Sequence, residues 1–276
     1  MRRADLHTHT YYSDGNYSPE QLLQKAKKKN ISILSVTDHD TVRAYDELEK
    51  LAPEYGIKLI PGIELSTEVG EAEVHILGYY FDTKNENLTS YLTQFKLARV
   101  ERAKKIIERL QENGVPITFE DVLEEAKSDY IGRPHIAYAL LHKGFVRSFQ
   151  EAFARYLGNF APYNEKKTEL SPYQAIEIIH KAGGVAVLAH PGYLGKDLIE
   201  YLLSMDFDGV EYVHPIHNLN KSIAFRETAR RKGIIPTGGS DFHGGKRNDY
   251  DNFGKFFIFE DTVRELEGKL QSRKFD

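Results

Sequence analysis

"RADLHTHTYYSDG", residues 3–15, decides the reading of this 276-residue chain. Its first half reads as a short strand, "ADLHTH", that ends on two histidines. Alternate residues of a strand share a face, so His7 and His9 point the same way. Asp14 follows in a Ser-Asp-Gly turn. The same device recurs along the chain. "ISILSVTDHD" (31–40) ends on Asp38 and His39, "IKLIPGIELSTE" (57–68) carries Glu64, and "AEVHILGYYFD" (72–82) carries His75. "VAVLAHPG" (185–192) leads into His190, "GVEYVHP" (209–215) into His214, and "IIPTGGSDFHG" (234–244) into Asp241 and His243.

Helical patterns separate these runs. "SPEQLLQKAKKKN" (18–30) has Ser18 as N-cap and Pro19 in its first turn. "AYDELEKLAPEYG" (44–56) is closed by Gly56. Strands alternating with helices predict βα units and an α/β barrel of parallel strands, which builds its active site at the C-terminal strand ends. From about Leu88 to Tyr163 the pattern changes to helix alone, led by the amphipathic "SYLTQFKLARVERAKKIIERLQENG" (90–114). This stretch is expected to be an inserted helical subdomain, 88–163, capping the active site of a barrel made from 1–87 and 164–276.

Taken singly, each polar residue has a plain structural explanation. A His-x-His is common on a half-exposed strand, Asp38 and Asp40 suit turns and caps, and "GGSDFHGG" reads as a loop. Coincidence at the same end of at least six strands is the weaker account. Cysteine is absent, so disulfides, thiol nucleophiles and sulfur-ligated metals are excluded, while 11 histidines are available. Imidazole and carboxylate suit Mn, Fe or Zn without sulfur. Glu64, with two oxygens, is the natural bridge between two ions.

The net charge of −4 argues against a protein that coats long duplex nucleic acid, where a basic footprint is expected. No apolar run spans a bilayer, and "MRRADLHTHT" breaks into polar residues too early for a signal peptide. A cytoplasmic location with no membrane partner is the expectation.

These residues resemble the PHP (polymerase and histidinol phosphatase) family of metal-dependent phosphoesterases. The matching motifs are "HTH" (7–9) with "SDG", "TDHD" (37–40), "GIELS" (62–66), "VHILGY" (74–79), "AHPG" (189–192) and "SDFHG" (240–244). The resemblance implies a distorted seven-stranded, TIM-like (β/α) barrel holding three divalent ions, Mn2+, Fe2+ or Zn2+. It places His7, His9, Glu64 and Asp241 around one ion, and bridges Glu64 to a second held also by His75 and His190. Asp14, His39 and His243 hold the third.

Within the family, the helical insertion, "GRPHIA" (132–137) and "GVEYVHPIHN" (209–218) look like the branch acting on nucleoside 3′,5′-bisphosphates and 5′ ends of short RNA. The implied activity is hydrolysis of such small phosphorylated substrates by a hydroxide bridging two ions. Arg133 and His135 are then expected to bind phosphate, and His214 or His217 to act as general acid. Two alternatives stand beside this: a histidinol-phosphate-type or other small-molecule phosphatase, and a non-catalytic PHP module stabilised by metal.

Overall fold

The computed structural model describes residues 1–126, 130–158, 161–163, 170–245 and 247–273. Eight short strands form one sheet in the order β7-β6-β5-β4-β3-β2-β1-β8. They are β1 (Arg3–Asp5), β2 (Ile31–Val36), β3 (Lys58–Val69), β4 (Ala72–Tyr79), β5 (Val185–Leu188), β6 (Gly209–Val213), β7 (Ile235–Gly238) and β8 (Ile258–Phe259). The sheet curls until its ends nearly meet. The Leu6 amide reaches the Gly238 carbonyl at 3.4 Å, the Asp241 amide reaches the His7 carbonyl at 2.9 Å, and Thr8 bridges Phe242. Gly239 permits this closure, because a Cβ there would lie 2.4 Å from the His7 nitrogen.

Not every strand is parallel, as the alternation predicted. β4 runs antiparallel to both β3 and β5, and β8 antiparallel to β1. The reason is local: Gly70, at φ 59°, and Glu71 join β3 directly to β4, and a hairpin can only be antiparallel. The reversal matters for the site. It sets His75 opposite Ser66, two residues from Glu64, so a residue early in β4 reaches the same rim as residues late in β3.

Helix α1 (Pro19–Lys28) starts at a capping box in which Ser18 Oγ accepts from the Gln21 amide and Gln21 Oε1 accepts from the Ser18 amide. Helix α2 (Tyr45–Tyr55) ends on left-handed Gly56, φ 68°. The insertion contributes α3 (Glu86–Glu112), α4 (Phe119–Ala126), α5 (Arg133–His142), α6 (Phe149–Ala152) and a π-helical turn at Phe153–Leu157. The barrel is completed by α7 (Pro172–Lys181), α8 (Lys196–Leu202), α9 (Leu219–Lys232) and α10 (Glu260–Arg273).

The apolar residues sort into separate cores. Leu6, Ile33, Ile60, Leu77, Tyr79 and Val187 fill the barrel interior. Ile63, Leu65, Ile76 and Leu188 face outward under α7 and α8. The insertion has a core of its own around Ile106, Leu110, Ile117, Ile136 and Leu140. Its expected second boundary, 163/164, abuts residues 164–169, which lie outside the described residues. Among the described residues, no helix is long and apolar enough to cross a membrane.

Candidate metal centre

Apolar side chains fill the barrel, and His, Asp and Glu side chains gather at its rim. The backbone there is unusual. Six described non-glycine residues have positive φ, and three of them, Asp40 (52°), His190 (25°) and Asp241 (48°), sit in strand-end loops of this rim. Such conformations cost of order 1–3 kcal/mol each and persist where surrounding structure holds them. Asp38 is an organiser of the first loop. It accepts from the Thr10 amide (2.7 Å), the Thr10 hydroxyl (2.5 Å) and the Ser13 hydroxyl (2.6 Å), which fixes the turn that presents Asp14.

Glu64 stands at the middle of the cluster. Its Oε2 lies 3.2 Å from Nε2 of both His7 and His9, and 3.4 Å from His39 Nδ1. Its Oε1 lies 2.9 Å from His75 Nδ1 and 2.9 Å from His190 Nε2. Asp241 Oδ1 sits 3.3 Å from His7 Nε2 and 3.2 Å from His9 Nε2. On the far side, Asp14 Oδ1 is 3.2 Å from His243 Nε2 and 4.0 Å from both His9 Nδ1 and His39 Nε2.

Many of these contacts are close without being hydrogen bonds. Both nitrogens of His9, His39 Nδ1 and His243 Nε2 are buried with no hydrogen-bond partner among the described residues. Buried imidazole nitrogens are rarely left so. The spacing has a simple cause if neighbouring atoms share an ion. Ligands about 2.0–2.2 Å from one metal stand about 2.8–3.6 Å from each other in octahedral or tetrahedral arrangements. Among the described residues, four clusters of donors have atoms within 4.8 Å of one another: His7, His9, Glu64 and Asp241; His9, Asp14, His39 and His243; His39, Glu64 and His75; and His7, Glu211 and His214. Nitrogen and oxygen donors of this kind fit divalent transition metals.

The electrostatics agree. Burial alone would raise the Glu64 carboxyl, but His39, His7 and His75 hold it well below the usual carboxylate range. Burial is likewise outweighed at Asp241 by His7 and His243, and at Asp14 by Arg247, His243 and His39.

Above the cluster opens a cavity of about 380 Å³ between the rim and the insertion. Arg133 lines it. Its Nη1 donates to the Leu157 carbonyl (3.0 Å) and its Nη2 to Glu73 Oε2 (3.0 Å). Arg99, Arg102 and Arg247 line it too, although sequence reading passed over them. Arg99 and Arg102 stand three apart on α3 and so share a helix face, a signal that was available. Burial, with Arg133 and Arg99 alongside, lowers Arg102 to about 10, the mark of crowded positive charge. Arg247 pairs with Asp14.

The other expected residues are placed differently. His135 is 1% exposed, and its Nδ1 accepts from the Gly132 amide at 3.1 Å, so it caps α5 behind the cavity wall. His214 is also buried; its Nδ1 accepts from the Ile216 amide at 3.2 Å while Nε2 lies 3.3 Å from Asp241 Oδ2. His217 donates Nδ1–H to the Tyr212 carbonyl (3.0 Å) and accepts the Gly192 amide at Nε2 (3.0 Å). Burial pushes His217 down to about 4. His217 thus engages backbone through both nitrogens, and His214 Nε2 faces Asp241 in the rim. His217→Ala is expected to cost about 1–3 kcal/mol of stability, through the orphaned Gly192 amide and Tyr212 carbonyl. Its kcat/KM per folded molecule should stay within about twofold of wild type, whereas loss of a general acid costs about 10²–10⁴. Thermal unfolding and steady-state kinetics separate the two.

Over residues 5–165 the chain matches the PHP domain family. The chain belongs to the PHP family. It is accordingly a phosphoesterase, a hydrolase of phosphate esters, and the donor-rich barrel rim is its candidate site. A 5′-3′ exoribonuclease of Haemophilus influenzae is 33% identical over 248 residues, covering 88% of this PHP chain and 90% of the relative. A 3′,5′-nucleoside bisphosphate phosphatase of Chromobacterium violaceum is 32% identical over 251 residues, 88% of each chain. A crystal structure of a candidate metal-dependent phosphoesterase from Bifidobacterium adolescentis superposes with TM-score 0.86 at 32% identity, covering 95% of this chain and 94% of the other.

Proposed function

We propose that this phosphoesterase hydrolyses nucleoside 3′,5′-bisphosphates, or the 5′ ends of short RNA, in the cytoplasm, using three divalent ions of Mn2+, Fe2+ or Zn2+. His7, His9, Glu64 and Asp241 hold the first. Glu64, His75 and His190 hold the second, and Asp14, His39 and His243 the third. Bound there, the ions supply Lewis acidity toward phosphoryl oxygens and acidify a water enough to ionise near neutral pH. The insertion, 88–163, serves as a cap that shields the reacting phosphate from bulk water.

The observation that carries the substrate class is the charge of the cavity wall. Four guanidinium groups (Arg99, Arg102, Arg133, Arg247) and four carboxylates (Asp14, Glu64, Glu73, Asp241) line it and cancel formally. Each ion held then leaves two positive charges in surplus. Three ions exceed what one phosphate monoester, at about −1.5 to −2, neutralises. A second phosphate on the arginine side uses that surplus, and its binding energy assists the reacting centre. Tyr193, 64% exposed, and Phe149 and Phe153 flank the opening and offer apolar faces to a base. The two relatives named for nucleoside bisphosphates and RNA support the same choice.

Phosphate release from metal-loaded enzyme tests it, with 3′,5′-bisphosphates, the matching monophosphates, 5′-phosphorylated oligoribonucleotides and histidinol phosphate compared. Bisphosphates or RNA ends are expected to exceed monophosphates by about tenfold or more in kcat/KM, the worth of one added charge-assisted contact. Equal efficiency on all, or preference for histidinol phosphate, overturns the assignment.

A further inference from the structure

We infer that Glu211 is a positioning residue that locks His7 and His190, on two sides of Glu64, into one frame and dictates which nitrogen His7 presents. The inference rests on the metal-centre reading above and concerns a residue outside the proposed ligand sets. Glu211 is fully buried on β6, where the pairing with β7 slips between Glu211 and Val213. Such bulges re-aim side chains, and this one lies beside the carboxylate. Glu211 Oε1 lies 3.1 Å from His7 Nδ1, and Oε2 accepts the His190 amide at 2.8 Å.

Both contacts bear on metal binding. An ionised carboxylate only accepts, so His7 carries its proton on Nδ1. Nε2 then keeps its lone pair toward Glu64 Oε2 and Asp241 Oδ1, 3.2 and 3.3 Å away. The second contact acts on the backbone. His190 has φ 25° and ψ 57°, a conformation few side chains adopt, and the Glu211 bond holds its amide there. With the amide fixed, the His190 ring reaches Glu64 Oε1 at 2.9 Å. Tautomer at one ligand and backbone geometry at another thus depend on a single side chain. Carboxylates behind metal-bound histidines act in this way generally.

Glu211→Gln is the diagnostic change because it preserves volume and removes one acceptor. The amide oxygen can serve His7 or the His190 amide, while the NH2 group then faces a donor at the other. Competition against a chelator for Mn2+ or Zn2+ should show affinity about 10–100-fold weaker for part of the bound metal. Metal held by Asp14, His39 and His243 should keep wild-type affinity, so the titration becomes biphasic. Excess metal should restore kcat, with substrate KM unchanged. A purely structural role would lower thermal stability without splitting the metal titration. Wild-type affinity throughout in Glu211→Gln overturns the inference. Nitrogen-15 spectra of Zn2+-loaded wild-type protein give a second test that needs no variant: His7 should be protonated at Nδ1, and metal on Nδ1 overturns the inference. If wild-type protein binds no metal tightly, the metal-centre reading itself fails and this one falls with it.

Discussion

Glu64→Ala is expected to lower kcat/KM by at least about 10³-fold, equivalent to about 4 kcal/mol of transition-state stabilisation. No other side chain in the rim addresses as many partners. Its two oxygens lie within 3.4 Å of nitrogens on His7, His9, His39, His75 and His190. Removing it takes the shared carboxylate from two of the three proposed ions at once and leaves their charges facing each other unscreened. Asp241→Ala removes a ligand from one ion only and should cost less. Metal analysis should find Glu64→Ala deficient in metal, and added Mn2+ should fail to rescue it. The same Mn2+ should rescue chelator-stripped wild-type enzyme. Full activity in stripped protein, or in Glu64→Ala, would contradict the whole account of this rim.

The residues of that rim were legible in the sequence because the physics that places them is local. Strand-end position predicts His7, His9, Asp38, His39, His190, Asp241 and His243 at one end of a barrel, and although β1 stops at Asp5, His7 and His9 still converge on Glu64 Oε2. Helix signals were legible for the same reason: Ser18 caps α1, and Gly56 closes α2 in a left-handed turn. What escaped was set by distant parts of the chain. The reversal of β4 was half visible in Gly70-Glu71, but its consequence, His75 opposite Ser66, belongs to the ladder. Glu211 sits in "GVEYV", where nothing local distinguishes it from any strand glutamate; only the fold brings β6 beside His7.

The remaining histidines show the converse. His135, His214 and His217 are spaced and surrounded like functional residues, yet each accepts a backbone amide within the tertiary fold. An imidazole offers one donor and one acceptor, and sequence does not say whether backbone or substrate takes them. The barrel rim and the insertion also differ in kind. The rim supplies acceptors to hold cations, and the insertion supplies Arg99, Arg102 and Arg133 from its own helices. The proposed metal and phosphate sites thus fall on two layers with separate cores, joined by the Arg133–Glu73 and Arg99–Asp40 pairs.

Arg133→Ala exploits that division, and is expected to reduce kcat/KM for a 3′,5′-bisphosphate by about 100-fold, or about 2.7 kcal/mol. Arg133 opens α5, and its guanidinium is pinned by the Leu157 carbonyl, by Glu73 and by the Phe153 ring at 5.8 Å. Those contacts orient the fork toward the cavity before substrate arrives, so little side-chain freedom remains to be lost on binding. Metal content should be unchanged in Arg133→Ala, because its hydrogen bonds to the Leu157 carbonyl and Glu73 go to residues outside the proposed ligand sets. The loss should be larger for bisphosphates than for monophosphates if the second phosphate rests on the arginine wall. Arg133→Lys should recover only part, since a point charge replaces a bidentate fork. A helix-start role for Arg133 predicts a different pattern: lower thermal stability, equal effects on every substrate, and wild-type kinetics once the protein is folded. Kinetics on paired mono- and bisphosphates, with metal content and unfolding measured on the same preparations, distinguish the two, and unchanged kinetics in Arg133→Ala would remove this arginine from substrate binding.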